Sequence, residues 1–304
     1  MSSRVYAFAD VGRTGLGNML FPWARAEVFR HRHGVPMLAP QWTQFKIGPL
    51  LRSEKDLRFY TGMFSNHGYI RGVHRWWVLT TARRIEQADA EAFAGSRAVG
   101  DGGRRITVVR FSGWEGWFNG LLHDKALVSR RLFDIMRPAL KERLARQPVD
   151  YVIAAHVRRG DKPPMTLGET IPDRWSHGKG MPDQWFVNCI KNVRAALGTA
   201  APVKIFSDAK PAQLAAILTL ENVTLAEDNV SIVDTFRLSK ARVLITTSTS
   251  SFSAWASYLG GMPTLWYPGL AWDLNLDKPW HEIETDLQGG LPTGAEGVIR
   301  AAVG

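Results

Sequence analysis

Tyr151-Val152-Ile153-Ala154-Ala155-His156-Val157 runs directly into Arg158-Arg159-Gly160-Asp161. The first part is a short, nearly unbroken apolar run, the pattern of a strand buried on both faces of a sheet. The second part puts two arginines, a glycine and a carboxylate where that strand must turn. From here the chain alternates. Pro182 opens a helix that carries Trp185, Val187, Ile190, Val193, Ala196 and Leu197, and Gly198 is its stop. Residues 203–206 read as the next strand and 211–218 as the next helix. Strand 222–225, helix 231–240, strand 242–246, helix 251–259 and a last strand at 263–267 follow. Repeated strand–helix–strand units imply a parallel sheet with right-handed crossovers, so this half is expected to be a Rossmann-like α/β domain.

Working towards the N-terminus, the pattern is thinner. Residues 4–9 read as a strand, 12–17 as a glycine-rich turn, and 18–33 as a helix stopped by Gly34. Residues 35–39 form a second strand. Residues 42–105 are rich in aromatics and arginine but weak in periodicity. A strand at 106–111 and a long helix at 129–146 come next, and Pro148 marks the expected boundary. The chain of 304 residues thus divides into domains 1–148 and 149–304.

Composition narrows the function classes. Hydrophobic residues make up 45% and charged residues 22%, which excludes a disordered chain. No apolar stretch is long enough to span a bilayer. The N-terminus lacks the apolar core and cleavage site of a secretory signal. Cys189 is the only cysteine, which rules out an internal disulfide and a cysteine zinc site. A cytoplasmic enzyme is expected. Residues 1–150 hold 24 Lys/Arg against 13 Asp/Glu, whereas 151–304 hold 14 against 15, so the net charge of +10 resides in the first half. Such a surface steers anions, which is compatible with an acidic glycan or a nucleic acid as partner; it is equally the charge of a solubilising surface.

Ligands of open parallel sheets bind beyond the carboxyl ends of the strands. Three polar clusters fall there: His156 to Asp161, Phe206-Ser207-Asp208, and Thr246 to Ser253. Arginine presents a permanently charged, planar fork of donors suited to phosphate. The hydroxyl-rich turn opens a helix, whose free N–H groups and dipole favour an anion; taken alone, a serine there is usually just an N-cap. Asp208 is placed to accept hydrogen bonds from a ribose or base. The chain contains no Asp-x-Asp, and its eight histidines show no ligand spacing, so no metal site is expected and arginine takes over the electrostatic role. Glu169, Asp10 and Glu115 are candidates for the base that would deprotonate an acceptor hydroxyl. Trp114 and Trp117 suit a sugar face or a core equally, and Arg13 and Lys162 could add charge near a diphosphate.

Four motifs then fall in the order of a known family. They are Gly15-Leu16-Gly17-Asn18-Met19-Leu20-Phe21, the His156–Asp161 segment, Phe206-Ser207-Asp208, and Ser250-Ser251-Phe252-Ser253-Ala254-Trp255-Ala256. The sequence resembles the GT-B fucosyltransferase superfamily, most closely the bacterial α-1,2-fucosyltransferase-like group of glycosyltransferase family 11. Met19 stands where that group carries glutamine, and residues 40–150 have no counterpart motif. The resemblance implies two Rossmann-like domains facing a central cleft, with the C-terminal one holding a nucleotide sugar, usually GDP-fucose, and inversion at the anomeric carbon. It implies that Arg158 holds the diphosphate and that His156 and Asp161 support the loop. Asp208 and Asp234 contact the nucleoside, Ser250 and Ser251 the phosphates, and Gly15, Gly17 and Asn18 complete the donor set. No cofactor beyond the donor is implied. Two other readings remain at this point: a related glycosyltransferase with another donor that modifies DNA or protein, and a non-catalytic nucleic-acid-binding protein on a degenerate fold.

Overall fold

A computed structural model describes residues 5–43, 60–98, 106–160, 162–172 and 178–304, which form two compact units, 5–43 with 60–141, and 142–304. Each is built on a wholly parallel sheet. No helix among the described residues is long and apolar enough to cross a membrane.

The first unit begins with β1 (Val5–Asp10) and α1 (Leu16–His33). The helix starts earlier than the glycine pattern predicts. Gly15 is its N-cap and its carbonyl accepts the N–H groups of Asn18 and Met19, so Gly17 and Asn18 lie inside the first turn. Gly34 closes it in the left-handed region, as expected. The short β2 (Met37–Leu38) follows. The aromatic stretch that showed little periodicity holds α2 (Gly72–Thr81), β3 (Arg83–Glu86) and α3 (Ala90–Ala98). Then come β4 (Thr107–Ser112), α4 (Lys125–Ile135) and α5 (Pro138–Arg146). The single long helix expected at 129–146 is therefore two. Met136 is extended, and Pro138, which cannot donate to the helical ladder and keeps its predecessor out of the α region, starts the second helix instead. The sheet order is β2-β1-β4-β3. Beside it, the buried Glu27 of α1 accepts hydrogen bonds from Tyr69 (2.5 Å), Arg30 (3.1 Å) and Arg131 (3.2 Å), so that carboxylate is fully compensated.

The second unit contains β5 (Ile153–Val157), α6 (Asp183–Leu197), β6 (Val203–Ser207), α7 (Ala215–Leu218), β7 (Val223–Leu225), α8 (Ser231–Leu238), β8 (Val243–Ile245), α9 (Ser251–Gly260), β9 (Thr264–Trp266), β10 (Glu282–Glu284) and α10 (Ala295–Val303). The helix expected at 211–218 is a 3₁₀ turn followed by a single α turn. Strand 264–266 is not the last one, because β10 extends the edge. Its three residues, Glu282-Ile283-Glu284, are too short and too polar to read as a strand in isolation.

The order β10-β9-β8-β5-β6-β7 reverses direction between β5 and β8, the switch point where such sheets bind ligands. Strand alternation sorts the β5 side chains. Ile153, Ala155 and Val157 pack with Trp185, Ile190 and Val193 of α6 and Ile299 of α10, while Ala154 packs with Leu238 of α8 and Ala256 of α9. Because both faces are covered, the strand reads as an unbroken apolar run. His156 shares the parity of Ala154 and so faces α9.

Candidate active site

The three polar clusters come together at the carboxyl ends of β5, β6 and β8, and hydrogen bonds bind them into one structure. Thr247 carries the centre: its hydroxyl donates to the His156 carbonyl at 2.8 Å and accepts the Arg158 N–H at 3.0 Å. Ser207 donates to the Val157 carbonyl at 2.5 Å. Asp208 accepts the Arg159 N–H at 2.7 Å. The loop after β5 is thus held from both neighbouring strands, and each bond exists only because β5 lies between β6 and β8.

Two glycines allow this closeness. A Cβ on Gly160 would fall 2.6 Å from an Asp208 carboxylate oxygen, and one on Gly180 would fall 2.7 Å from the Arg159 guanidinium and 2.8 Å from the Arg158 carbonyl. Gly180 faces backbone and has no room for a side chain, while a side chain at Gly160 would displace the Asp208 carboxylate.

The two arginines have different surroundings. The Arg159 side chain is buried and directed into the protein. It donates to the Asp183 carboxylate, to the Met181 carbonyl at 2.8 Å and to the Arg158 carbonyl at 3.0 Å, and it lies over the Phe186 ring. It is a strut, and its partner Asp183 sits in the first turn of α6, where a carboxylate is also favoured by the helix dipole. Arg158 is half-buried, with its backbone rather than its side chain held by Thr247. Lys162 reaches Thr249 at 3.4 Å.

His156 is buried, and its Nδ1 lies 2.6 Å from the Ser253 hydroxyl, with Phe252 beside the ring. Burial pushes its pKa down to about 4; the Asp208 carboxylate opposes that shift and the Arg158 charge assists it. The ring is neutral at physiological pH and orients the loop without contributing charge. A depressed histidine pKa means that the unfolded chain takes up the proton first as pH falls. Stability is therefore complete above the unfolded value near 6.5 and declines towards pH 4. The full loss is about 3 kcal/mol. The fall in melting temperature between pH 7 and pH 4 is expected to be clearly smaller in His156→Gln, whose amide can still bond Ser253. Parallel melting curves for the two proteins would overturn this assignment.

Ser250 does not act as a cap. It occupies the N-cap of α9, yet its side chain makes no capping bond, and its buried hydroxyl has no partner among the described residues. A buried orphan hydroxyl at a helix N-terminus is costly unless water or a ligand satisfies it. Ser251 is the first residue of α9. Asp234 is buried in the first turn of α8, which packs along α9. Asp161 lies outside the described residues.

Each candidate base has bonding partners of its own. Glu169 pairs with Lys179 at 2.8 Å, accepts the Thr166 N–H, and offers its carbonyl to the Tyr267 hydroxyl at 2.6 Å. Asp10, at the end of β1, is held by Arg110 at 2.6 Å, and Arg110 also bonds Glu86. Glu115 is exposed in the turn between Trp114 and Trp117, with its carbonyl accepting Arg25 at 2.7 Å. Those two tryptophans stack at 6.0 Å, Trp114 being exposed. Gly15, Gly17 and Asn18 lie around the start of α1 in the first unit. Sequence reasoning passed over Thr247 as an individual anchor, and also Ser253 and the Arg159–Asp183 pair. The last joins residues 24 positions apart, with no spacing rule to connect them.

No family model and no curated protein sequence matches this chain. A solved structure does: the chain superimposes on a NodZ α-1,6-fucosyltransferase soaked with GDP-fucose with a TM-score of 0.50 and 16% identity, over 95% of this chain and 97% of that one. A mutant of Arabidopsis thaliana FUT1 in complex with GDP aligns at a TM-score of 0.48 and 12% identity, over 85% of this chain and 69% of that one, too loosely to bear on the fold. The NodZ superposition shows that the chain has a fucosyltransferase-like fold of the GT-B type.

Proposed function

We propose that this protein is an inverting glycosyltransferase that takes L-fucose from GDP-fucose without a divalent metal and transfers it to an acceptor hydroxyl. Residues 149–304 take the nucleotide sugar, and residues 1–148 form the acceptor side. In this reading the chain belongs with the bacterial α-1,2-fucosyltransferase-like proteins, acts in the cytoplasm, and accepts a glycan, including an acidic one. The observation that carries the reading is the braced loop after β5. It ties the Arg158 backbone to Thr247, in the turn that leads into α9, whose buried Ser250 hydroxyl has no partner among the described residues.

The chemistry follows from that arrangement. As the glycosidic bond to the diphosphate breaks, negative charge builds on the leaving oxygens. Arg158 and the N–H groups at the start of α9, with Ser250 and Ser251, would stabilise that charge as it develops. Arginine then does what a bound cation does in enzymes that hold one through paired aspartates, a pairing this chain lacks. Asp208 and Asp234 would contact the nucleoside, with Asp208 also bracing the loop. Gly15, Gly17 and Asn18 would be further donor-binding residues, and Asp161 would support the loop. The acceptor proton would go to Glu169, Asp10 or Glu115. The support for this reading is the sheet topology, the loop geometry and the four motifs.

The test is calorimetric titration with GDP, UDP, ADP and CDP in the presence of EDTA. GDP is expected to bind at least roughly tenfold tighter than the others, a margin of about 1.4 kcal/mol. A preference for UDP would replace the donor and keep the fold. Absence of binding to any nucleotide would sink the catalytic reading, and binding only after addition of Mg²⁺ or Mn²⁺ would remove the metal-free mechanism.

A further inference from the structure

Helix α2 exposes apolar surface that the fold does not use. Val73, Trp76 and Trp77 are 82%, 65% and 46% exposed. Their i, i+3, i+4 spacing puts them on one stripe of the helix, and Thr80, also exposed, continues it. The opposite side carries Val78, which is fully buried against Tyr6, Leu38 and Val108. The helix is thus anchored by one face and presents two indoles and a valine on the other. Large aromatics are rarely left outside without a partner.

The charge around the stripe identifies that partner. No Asp or Glu occurs from residue 60 to residue 85, whereas Arg71, Arg75, Arg83 and Arg84 do. Arg75 is taken up by the fold, bonding the Ala39 carbonyl and lying over Phe8. The other three are exposed at the two ends of the helix. Arg71 is its N-cap, and Arg84 reaches back to the Leu79 carbonyl, which holds its charge beside the last turn. Indoles flanked by arginines on an otherwise anchored helix match the headgroup region of an anionic bilayer. Tryptophan buries its apolar body there and keeps its N–H wet, and arginine meets lipid phosphate. A soluble glycan would ask for side-chain hydrogen bonds beside the indoles, and the stripe adds only a valine and Thr80, whose hydroxyl donates to the Trp76 and Trp77 carbonyls.

We infer that α2 docks this protein on the surface of a membrane containing anionic phospholipid, lying in the interface without crossing it. The contact is peripheral and reversible, because one short helix buries little area. It is independent of the nucleotide-sugar site, and its test does not require turnover.

The experiment is co-sedimentation of the full chain with phosphatidylcholine vesicles, with and without phosphatidylglycerol. Binding is expected only to the phosphatidylglycerol vesicles, and it weakens with added salt. Trp76→Ser with Trp77→Ser should reduce the partition coefficient by at least roughly tenfold, and Trp76→Phe with Trp77→Phe should recover part of it. Arg83→Gln and Arg84→Gln should each cost roughly fivefold. All these side chains are exposed, so circular dichroism melting and GDP titration are expected to match wild type and serve as the folding control. Lack of sedimentation with either vesicle overturns the inference. So does equal binding to both vesicles, or binding that the tryptophan substitutions leave unchanged. Heparin binding that persists in the tryptophan variants, without vesicle binding, would assign the basic rim to a soluble polyanion instead.

Discussion

Arg158→Ala is expected to lower kcat/KM for fucosyl transfer by about three orders of magnitude, with little change in thermal stability. The size follows from what the guanidinium is proposed to meet. A leaving diphosphate gains charge in the transition state, and a preorganised bidentate donor stabilises it more than it stabilises the ground state. The loss should therefore fall mainly on kcat, with GDP affinity reduced by a smaller factor. Arg158→Lys restores a charge but not the fork, and about two orders of magnitude of loss should remain. Stability is spared because Thr247 holds the backbone N–H of residue 158, a bond that alanine keeps. Steady-state kinetics with GDP-fucose and a melting curve for each variant provide the check. A variant that retains near-wild-type kcat would remove Arg158 from the mechanism.

Asp183→Ala should produce the second largest effect, and it should appear in both stability and activity. It leaves the Arg159 guanidinium buried without its counter-charge. For a fully buried pair that costs about 3–5 kcal/mol; with the Asp183 side chain 29% exposed, solvent relieves part of it, and about 2–3 kcal/mol is expected. Arg159 also ties the carbonyls of Arg158 and Met181, so a displaced guanidinium loosens the loop that carries Arg158. A fall of about ten- to a hundredfold in kcat/KM should accompany the destabilisation. The combination Arg159→Met with Asp183→Leu separates the two effects. An apolar pair should restore much of the stability, as replacement of buried ion pairs often does, but it cannot bond the two carbonyls. Recovered melting temperature with persistently low kcat/KM identifies a positioning role. Recovery of both would make the pair purely structural.

The second unit was legible in the sequence to within a residue or two at most boundaries. Its strands are buried on both faces, which enforces apolar runs such as 151–157, and its helices stop at glycines such as Gly198 that adopt the left-handed conformation. The first unit was less legible. The region around α2 has exposed indoles on a helix that contributes one fully buried side chain, Val78, so no amphipathic period dominates there. The break at Pro138 was visible in the composition and was overrun by the apolar spacing on either side of it.

The same division runs through the site. Local chemistry determined that an arginine-bearing turn would follow β5, that hydroxyls would open α9, and that these segments would meet at one edge of a parallel sheet. Residue type and strand–helix alternation suffice for that, because crossover handedness leaves few topologies open. Only the tertiary structure decided which arginine turns inward. Arg158 and Arg159 are adjacent and chemically identical, and their difference comes from Asp183 and Met181, which the fold brings to one of them. It likewise decided that Ser250 makes no cap and that Thr247 stitches the switch point between β5 and β8. A sequence specifies what each side chain can bond, but the partner it finds depends on which distant backbone arrives within hydrogen-bond reach, and that distance is set by packing.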